Sequence, residues 1–200
     1  MAKNESKEKR VNDILDAAVA VFVEKGYENT SMSEIATRAG ISKGGLYHHL
    51  LNKDMVLIYA NQKLLEPTYE IMKQAETFKT IKESLEFYIS NYLKYWLDRK
   101  KELIFFSLSM TKAMSHKDIF NVYQKYIEKY IETIKDIYQK GIDLDEFVPH
   151  NPRHNAVALI SALDGVLVYM VLDEKLTFQE VLESFNYRFI NVFLKDREQN

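Results

Sequence analysis

Apolar residues recur along this chain at the three- and four-residue spacing of amphipathic helices. The pattern runs from Val11, Ile14, Leu15, Ala18 and Phe22 near the start to Phe178, Val181, Leu182, Phe185 and Phe189 near the end. Local stop and start signals divide it. Gly26 ends the first helix near Lys25, and Ser31 with Glu34 forms a capping box for a short second helix that Gly40 closes. Ser42 caps a third, which carries Leu46 inward and runs to about Leu50. Beyond Lys53 the segments lengthen and become more aromatic, and the pairs Thr80/Glu83 and Thr177/Glu180 repeat the capping box. Helices are expected at 53–75, 80–98, 101–113, 117–140, 152–172 and 178–195. Pro152 suits a first helical turn, whereas Pro67 should kink or end the helix that holds it. The expected fold is all-α with about nine helices. Six Gly and three Pro in 200 residues leave too little turn chemistry for a sandwich or barrel.

Composition narrows the setting. The absence of Cys excludes a disulfide scaffold, a thiol nucleophile and a thiolate metal site. The first ten residues are charged with no apolar stretch behind them, and no later run reads as a bilayer span, so a cytoplasmic protein without a membrane partner is expected. The net charge of -2 does not settle a nucleic-acid partner, because binding responds to local charge. Lys3, Lys7, Lys9 and Arg10 precede the first apolar run, as a reaching arm or a solvated tail, and Lys43 and Lys53 bracket the third helix.

The second and third helices meet the packing demands of a helix-turn-helix. Ile35 and Ala39 face inward, Ala36 is small at the crossing, Gly40 makes the turn, and Ile41 and Leu46 close the small core. The stretch GYENTSMSEIATRAGISKGGLYHHLLNK, from Gly26 to Lys53, closely resembles the DNA-binding signature of the tetracycline-repressor (TetR) family, with Leu50 where an aromatic is more usual. The pattern SALDGVLVYM from Ser161 to Met170 resembles that family's dimer-forming eighth helix. The resemblance implies a three-helix DNA-binding domain at 1–52 and an effector-binding and dimerisation domain at 53–200. It implies base and phosphate contacts from Ser42, Lys43, Gly44 and Gly45, with Tyr47, His48 and His49 reaching the same duplex. Lys53 would take a phosphate, and Thr30, Ser31 and Arg38 would touch the backbone from the bracing helix.

The central helices carry Tyr88, Asn91, Tyr92 and Trp96, then Phe106, Met110 and Met114, then Tyr123 and Tyr130. Most apolar residues of this kind are core, but these nine are the candidates for an apolar effector pocket with a few polar groups, Ser107 and Thr111 among them. Thirteen Tyr in the chain favour a sizeable aromatic or extended apolar effector. Leu159, Leu163, Val166, Met170, Phe185 and Phe189 are expected at a homodimer interface, with Asp164 in need of a partner if buried. No metal or other cofactor is expected. Adjacent His48 and His49 point about 100° apart on a helix, Pro152 separates His150 from His154, and His116 reads as part of a helix-start loop. Nor is an enzyme expected, since no nucleophile motif is present. The function that follows is a dimeric DNA-binding regulator, most simply a repressor of a palindromic operator released by a small apolar effector. A regulator of DNA without such an effector, constitutive or controlled by a protein partner, is the alternative.

Overall fold

The computed structural model describes residues 2–115 and 117–195, and the side chains of these except 2–8, 113–115 and 118. The side chains of Lys3, Lys7, Met114 and Asp118, and His116 as a whole, fall outside the described residues. Nine α-helices are described: α1 Ala2–Lys25, α2 Met32–Arg38, α3 Lys43–His49, α4 Lys53–Ala75, α5 Ile81–Leu97, α6 Lys100–Ser115, α7 Lys117–Asp143, α8 Pro152–Leu172 and α9 Phe178–Phe189. A 3-10 turn, Asn191–Phe193, follows.

The helix starts follow from side-chain chemistry. At α2 the Ser31 hydroxyl accepts from the Glu34 amide at 3.2 Å, while the Glu34 carboxylate accepts from the Ser31 amide at 2.8 Å. Thr80 with Glu83 and Thr177 with Glu180 repeat the reciprocal pair at α5 and α9. Gly26 and Gly40 have φ of +76° and +66°, a conformation that costs Gly little and other residues more.

The chain forms two compact units: Met1–Pro67 with Lys101–Tyr123, and Thr68–Lys100 with Gln124–Asn200. In the first, Ile14, Ala18 and Phe22 of α1, Ile35 and Ala36 of α2, Leu46 of α3, and Val56, Leu57 and Ala60 of α4 are all buried. In the second, α5 packs on α8 and α9, with Tyr88, Trp96, Tyr138 and Phe147 fully buried. α4 is not ended by Pro67; the helix continues to Ala75, and Pro67 is the last residue of the first unit's opening segment.

The last helix stops before its expected end at 195. Its Phe189 carbonyl accepts the Tyr138 hydroxyl at 2.8 Å. The chain then turns back along the α7–α8 loop through Val148 N–H to the Phe193 carbonyl and Lys195 N–H to the Glu146 carbonyl. Long-range pairing therefore outcompetes helix continuation.

Among the described residues one helix, α8, is long and apolar enough to cross a membrane by length and composition, contrary to the sequence expectation, and 33% of that stretch is buried. Its inner face packs through Ala156, Leu159, Leu163 and Leu167, while Val168, Tyr169 and Leu172 are exposed.

Near the end of α7, a Cβ at Gly141 would lie 2.6 Å from the ring of buried Phe147. Gly141→Ala is therefore expected to destabilise the chain by about 1–3 kcal/mol, read as a lower urea midpoint with an unchanged slope. An unchanged midpoint would show that the ring moves aside freely.

Candidate nucleic-acid interface and aromatic cluster

Helix α3 is seven residues long and buries only Leu46. Ser42 caps it, its hydroxyl accepting from the Gly45 amide at 3.1 Å. Lys43, Gly44, Tyr47 and His48 face solvent, and Gly45 and His49 are partly covered. The Lys43 ammonium lies 6.0 Å from the Tyr47 ring, and the His48 and His49 rings meet edge to face. The two glycines differ. A Cβ at Gly45 would press on the Ser42 hydroxyl at 3.3 Å, whereas at Gly44 it would meet nothing within 4 Å. Nothing inside the chain requires Gly44 to be bare.

Three other expected contact residues are committed internally. Thr30 is only 3% exposed and donates its hydroxyl to the Gly26 carbonyl at 2.8 Å, so it shapes the α1–α2 loop instead of offering a surface contact. Arg38 makes a two-point pair with Glu24, at 3.0 and 2.6 Å, and this bond holds the Glu24 carboxyl below its ordinary value. Ser31 is exposed, but its hydroxyl serves the capping box. A bond from Lys25, with further bonds from Ser31, brings the Glu34 carboxyl down to about 2.

Lys53 departs most from its expected role. At the start of α4, its ammonium donates to the carbonyls of Tyr27 at 2.9 Å and Thr30 at 3.0 Å and lies 4.3 Å from the centroid of the Tyr27 ring. The Tyr27 hydroxyl donates to Asp54, and burial followed by that carboxylate raises its pKa. Asn52 caps α4 through the Met55 amide at 2.8 Å. The α1–α2 loop is thereby tied to α4.

The nine candidate effector residues fall into two groups. Tyr88, Tyr92 and Trp96 of α5 form a buried aromatic cluster in the second unit with Tyr130 of α7. The Tyr88 and Tyr130 hydroxyls bond to each other, and Tyr92 donates to Asp164 at 2.8 Å. Asp164 thus has its partner in its own chain. Its outer surface is exposed, but its carboxylate turns toward buried Tyr92, and burial raises its pKa above the ordinary 3.8. Asn91 spends its amide on the Phe87 carbonyl one turn back. Phe106, Met110 and Tyr123 belong to the first unit. There Asn61, 1% exposed, donates to the hydroxyls of Ser109 and Tyr123, a buried polar centre not anticipated from the sequence. Its signal was an Asn at the inward position between Leu57 and Leu64 of α4. Ser107 and Thr111 give their hydroxyl protons to carbonyls of α6 itself.

Of the six expected interface residues, Leu159, Leu163, Met170 and Phe185 are buried within the protomer and cannot present a surface. Val166 and Phe189 line an open groove of about 550 Å³ between α8 and α9, together with Gly165, Tyr169 and Arg188. The exposed apolar face is made instead by Val157, Val168, Tyr169, Leu172 and Tyr187. α8 is apolar on both sides, so hydrophobicity alone did not separate its inner from its outer face.

Residues 14–60 match the family described as bacterial regulatory proteins, tetR family. The chain is 26% identical over 166 residues to the HTH-type transcriptional regulator YfiR of Bacillus subtilis, covering 82% of this chain and 80% of that protein. It is 28% identical over 134 residues to the fatty acid metabolism regulator protein of Bacillus subtilis, covering 66% and 68%. The fold is similar to that of the transcriptional regulator FadR from Bacillus subtilis in complex with stearoyl-CoA. The TM-score is 0.75 at 22% identity, covering 90% of this chain and 99% of that one.

Two expectations follow from the geometry. Lys53→Met keeps the aliphatic stem but leaves the Tyr27 and Thr30 carbonyls without their charged donor, so unfolding free energy should fall by about 1.5–3 kcal/mol. Lys53→Arg should recover part of the loss, and a urea midpoint unmoved by the Met variant would reduce Lys53 to a surface contact. For Asp164, the native state keeps its proton to higher pH than the unfolded chain. This contribution is full below pH 3.8 and is lost as pH rises through the raised value. Asp164→Asn should remove that decline, seen as a wild-type minus variant stability difference that becomes less favourable with rising pH. Parallel profiles would count against it.

Proposed function

The chain belongs to the tetR family of bacterial regulatory proteins, and from that premise we propose that it is a cytoplasmic, dimeric repressor that reads a palindromic operator through α3 and is released by an apolar effector. The observation that carries the DNA reading is the surface of α3. Leu46 is its one buried side chain, Lys43, Tyr47 and His48 face outward, and Gly44 stands bare in open space at the capped helix start. Glycine costs up to about 1 kcal/mol relative to alanine in a helix interior, and at Gly44, in the first turn of α3, close approach of a phosphate or base edge gives such a cost a purpose. Lys43, Gly44, Gly45, Tyr47 and His48 are the residues proposed to meet DNA directly. Ser42 contributes by starting the helix, and Lys53 and Thr30 by holding the loop before α2.

Dimerisation is proposed through the outer face of α8 with Tyr187 of α9, whose exposed apolar side chains need cover. Two recognition helices related by a two-fold axis would then enter successive major grooves roughly 34–36 Å apart. For the effector, the fatty-acid regulator among the relatives and the neighbour holding stearoyl-CoA make long-chain acyl thioesters of coenzyme A the first class to test. An effector seated against the aromatic cluster of the second unit would displace residues 68–75 of α4. Because α4 continues through Pro67, the displacement would reach 53–66 and the loop that Lys53 holds. A second reading, regulation without a small-molecule effector, is favoured by one observation. Tyr88, Tyr92 and Trp96 are almost wholly buried, and Tyr88 bonds to Tyr130, as in plain core.

The test is duplex selection from a random pool, followed by anisotropy titration of the recovered site with and without stearoyl-CoA. A two-fold symmetric site, affinity that falls with salt and release by stearoyl-CoA are expected. Gly44→Ala should weaken operator binding at least about tenfold with the melting temperature unchanged or raised, because only the helix propensity improves inside the protein. An unaffected Gly44→Ala affinity would overturn the close-approach reading. Operator binding indifferent to acyl-CoA of every chain length would favour the effector-free alternative.

A further inference from the structure

We propose that the cleft between the end of α1, the loop that follows it and the facing side of α6 is a second ligand site, and that it takes a small amphipathic anion with an apolar body and one carboxylate or sulfonate. The cleft lies wholly within the first unit and has a volume of about 620 Å³, the size range of small-molecule sites. It is separate from the aromatic cluster of the second unit and does not depend on the effector proposed there.

Its apolar surface is incompletely covered. Ile104 and Leu108 of α6 remain 49% and 64% exposed on the lining, above the Phe22–Phe105 stack, which is itself buried. An apolar body would cover both exposed side chains. The polar groups select the other end of the ligand. Ser109 donates its hydroxyl to the Phe106 carbonyl, Thr111 to the Leu108 carbonyl, and the Asn29 amide donates to the Lys25 carbonyl. With those hydroxyl protons spent, the charged donors of the lining are the ammonium groups of Lys101 and Lys112. Lys112 is paired with Glu28, the one carboxylate of the lining, and lies over the Tyr27 ring. Lys101 has no ion pair among the described residues. The carboxylate that feels its charge, Glu24, is held by Arg38. An apolar floor edged by an uncompensated ammonium fits an anion that brings its own acceptors.

Such a molecule would touch Tyr27 and Glu28, on the loop that Lys53 and Lys112 hold, so the site bears on the position of α2 and α3. Its probe is 1-anilinonaphthalene-8-sulfonate, titrated into the full chain by fluorescence and calorimetry. Leu108→Asp and Lys101→Glu change exposed side chains, and each should weaken binding at least about tenfold. Leu144→Asp, an exposed control in the other unit, should leave it within about twofold. N-phenyl-1-naphthylamine, which lacks the sulfonate, should bind more weakly and ignore Lys101→Glu. Should a variant lose its fold, methyl resonances of Ile104 and Leu108 in the unaltered protein decide, and both should shift on probe addition. Equal affinities across the folded variants, equal affinity for the uncharged analogue, or unmoved Ile104 and Leu108 methyls would each overturn the site.

Discussion

The Tyr27 ring is approached by two ammonium groups from different helices, Lys53 of α4 at 4.3 Å and Lys112 of α6 at 5.2 Å. Its hydroxyl is bonded to Asp54, and its other neighbour is the Phe22 ring at 5.7 Å. The same Lys53 ammonium gathers the Tyr27 and Thr30 carbonyls, and Thr30 closes the loop on Gly26. Ser31 then starts α2, α2 packs on α3, and α3 carries the outward residues. Each link begins where the previous one ends. A seven-residue helix with one buried residue cannot orient itself, because short helices depend on tertiary packing. Its bearing is therefore inherited from the loop, and the loop's from charged hydrogen bonds.

That dependence explains why α6 shares a unit with the first three helices although it follows them by some fifty residues. Phe105 stacks on Phe22, and Lys112 pairs with Glu28, so α6 braces the same loop from a second direction. In the second unit the polar groups that α5, α7 and α8 bury against one another meet at one cluster. Tyr92 donates to Asp164 from α5, and Tyr88 and Tyr130 bond across α5 and α7. Burial opposes the ionised carboxylate, and the bond from Tyr92 supports it. A carboxylate within the apolar stretch from Ala162 to Leu172 fixes the rotation of α8, since turning Asp164 away would strand the Tyr92 hydroxyl.

Much of this was legible in the sequence where the signal is local. Three capping boxes, the Ser42 cap and the glycines at 26 and 40 each depend on residues within a turn, and the structure keeps every one. The ranges 53–75 and 152–172 were readable to the residue. What escaped depends on partners distant in sequence. Lys53 reads as a surface cation until the loop carbonyls 23 and 26 residues earlier are brought to it. Helix α9 reads as continuing until Tyr138 takes its last carbonyl. On α8 the sequence pattern itself was ambiguous: Leu163 and Val168 are equally apolar, yet the first is fully buried and the second 44% exposed.

The distribution of paired charge completes the account of α3. Of the basic residues in the first 53 positions, Lys25 is taken by Glu34, Arg38 by Glu24, and Lys53 by carbonyls. Among the described residues, Lys9, Arg10 and Lys43 have no ion pair. Internal pairing thus removes positive charge from the brace and leaves it on Lys9 and Arg10 of α1 and on Lys43, the first residue of α3, where a helix start leaves backbone amides without intrahelical partners. A nearly neutral reading head can attract a phosphate under these conditions, because the field at a contact is set by the nearest uncompensated groups and falls off within a Debye length of about 8–10 Å. The same arrangement limits the number of phosphates the head can neutralise. In the proposed complex, discrimination would rest on how closely α3 seats in a groove, which returns the weight to the loop that holds it.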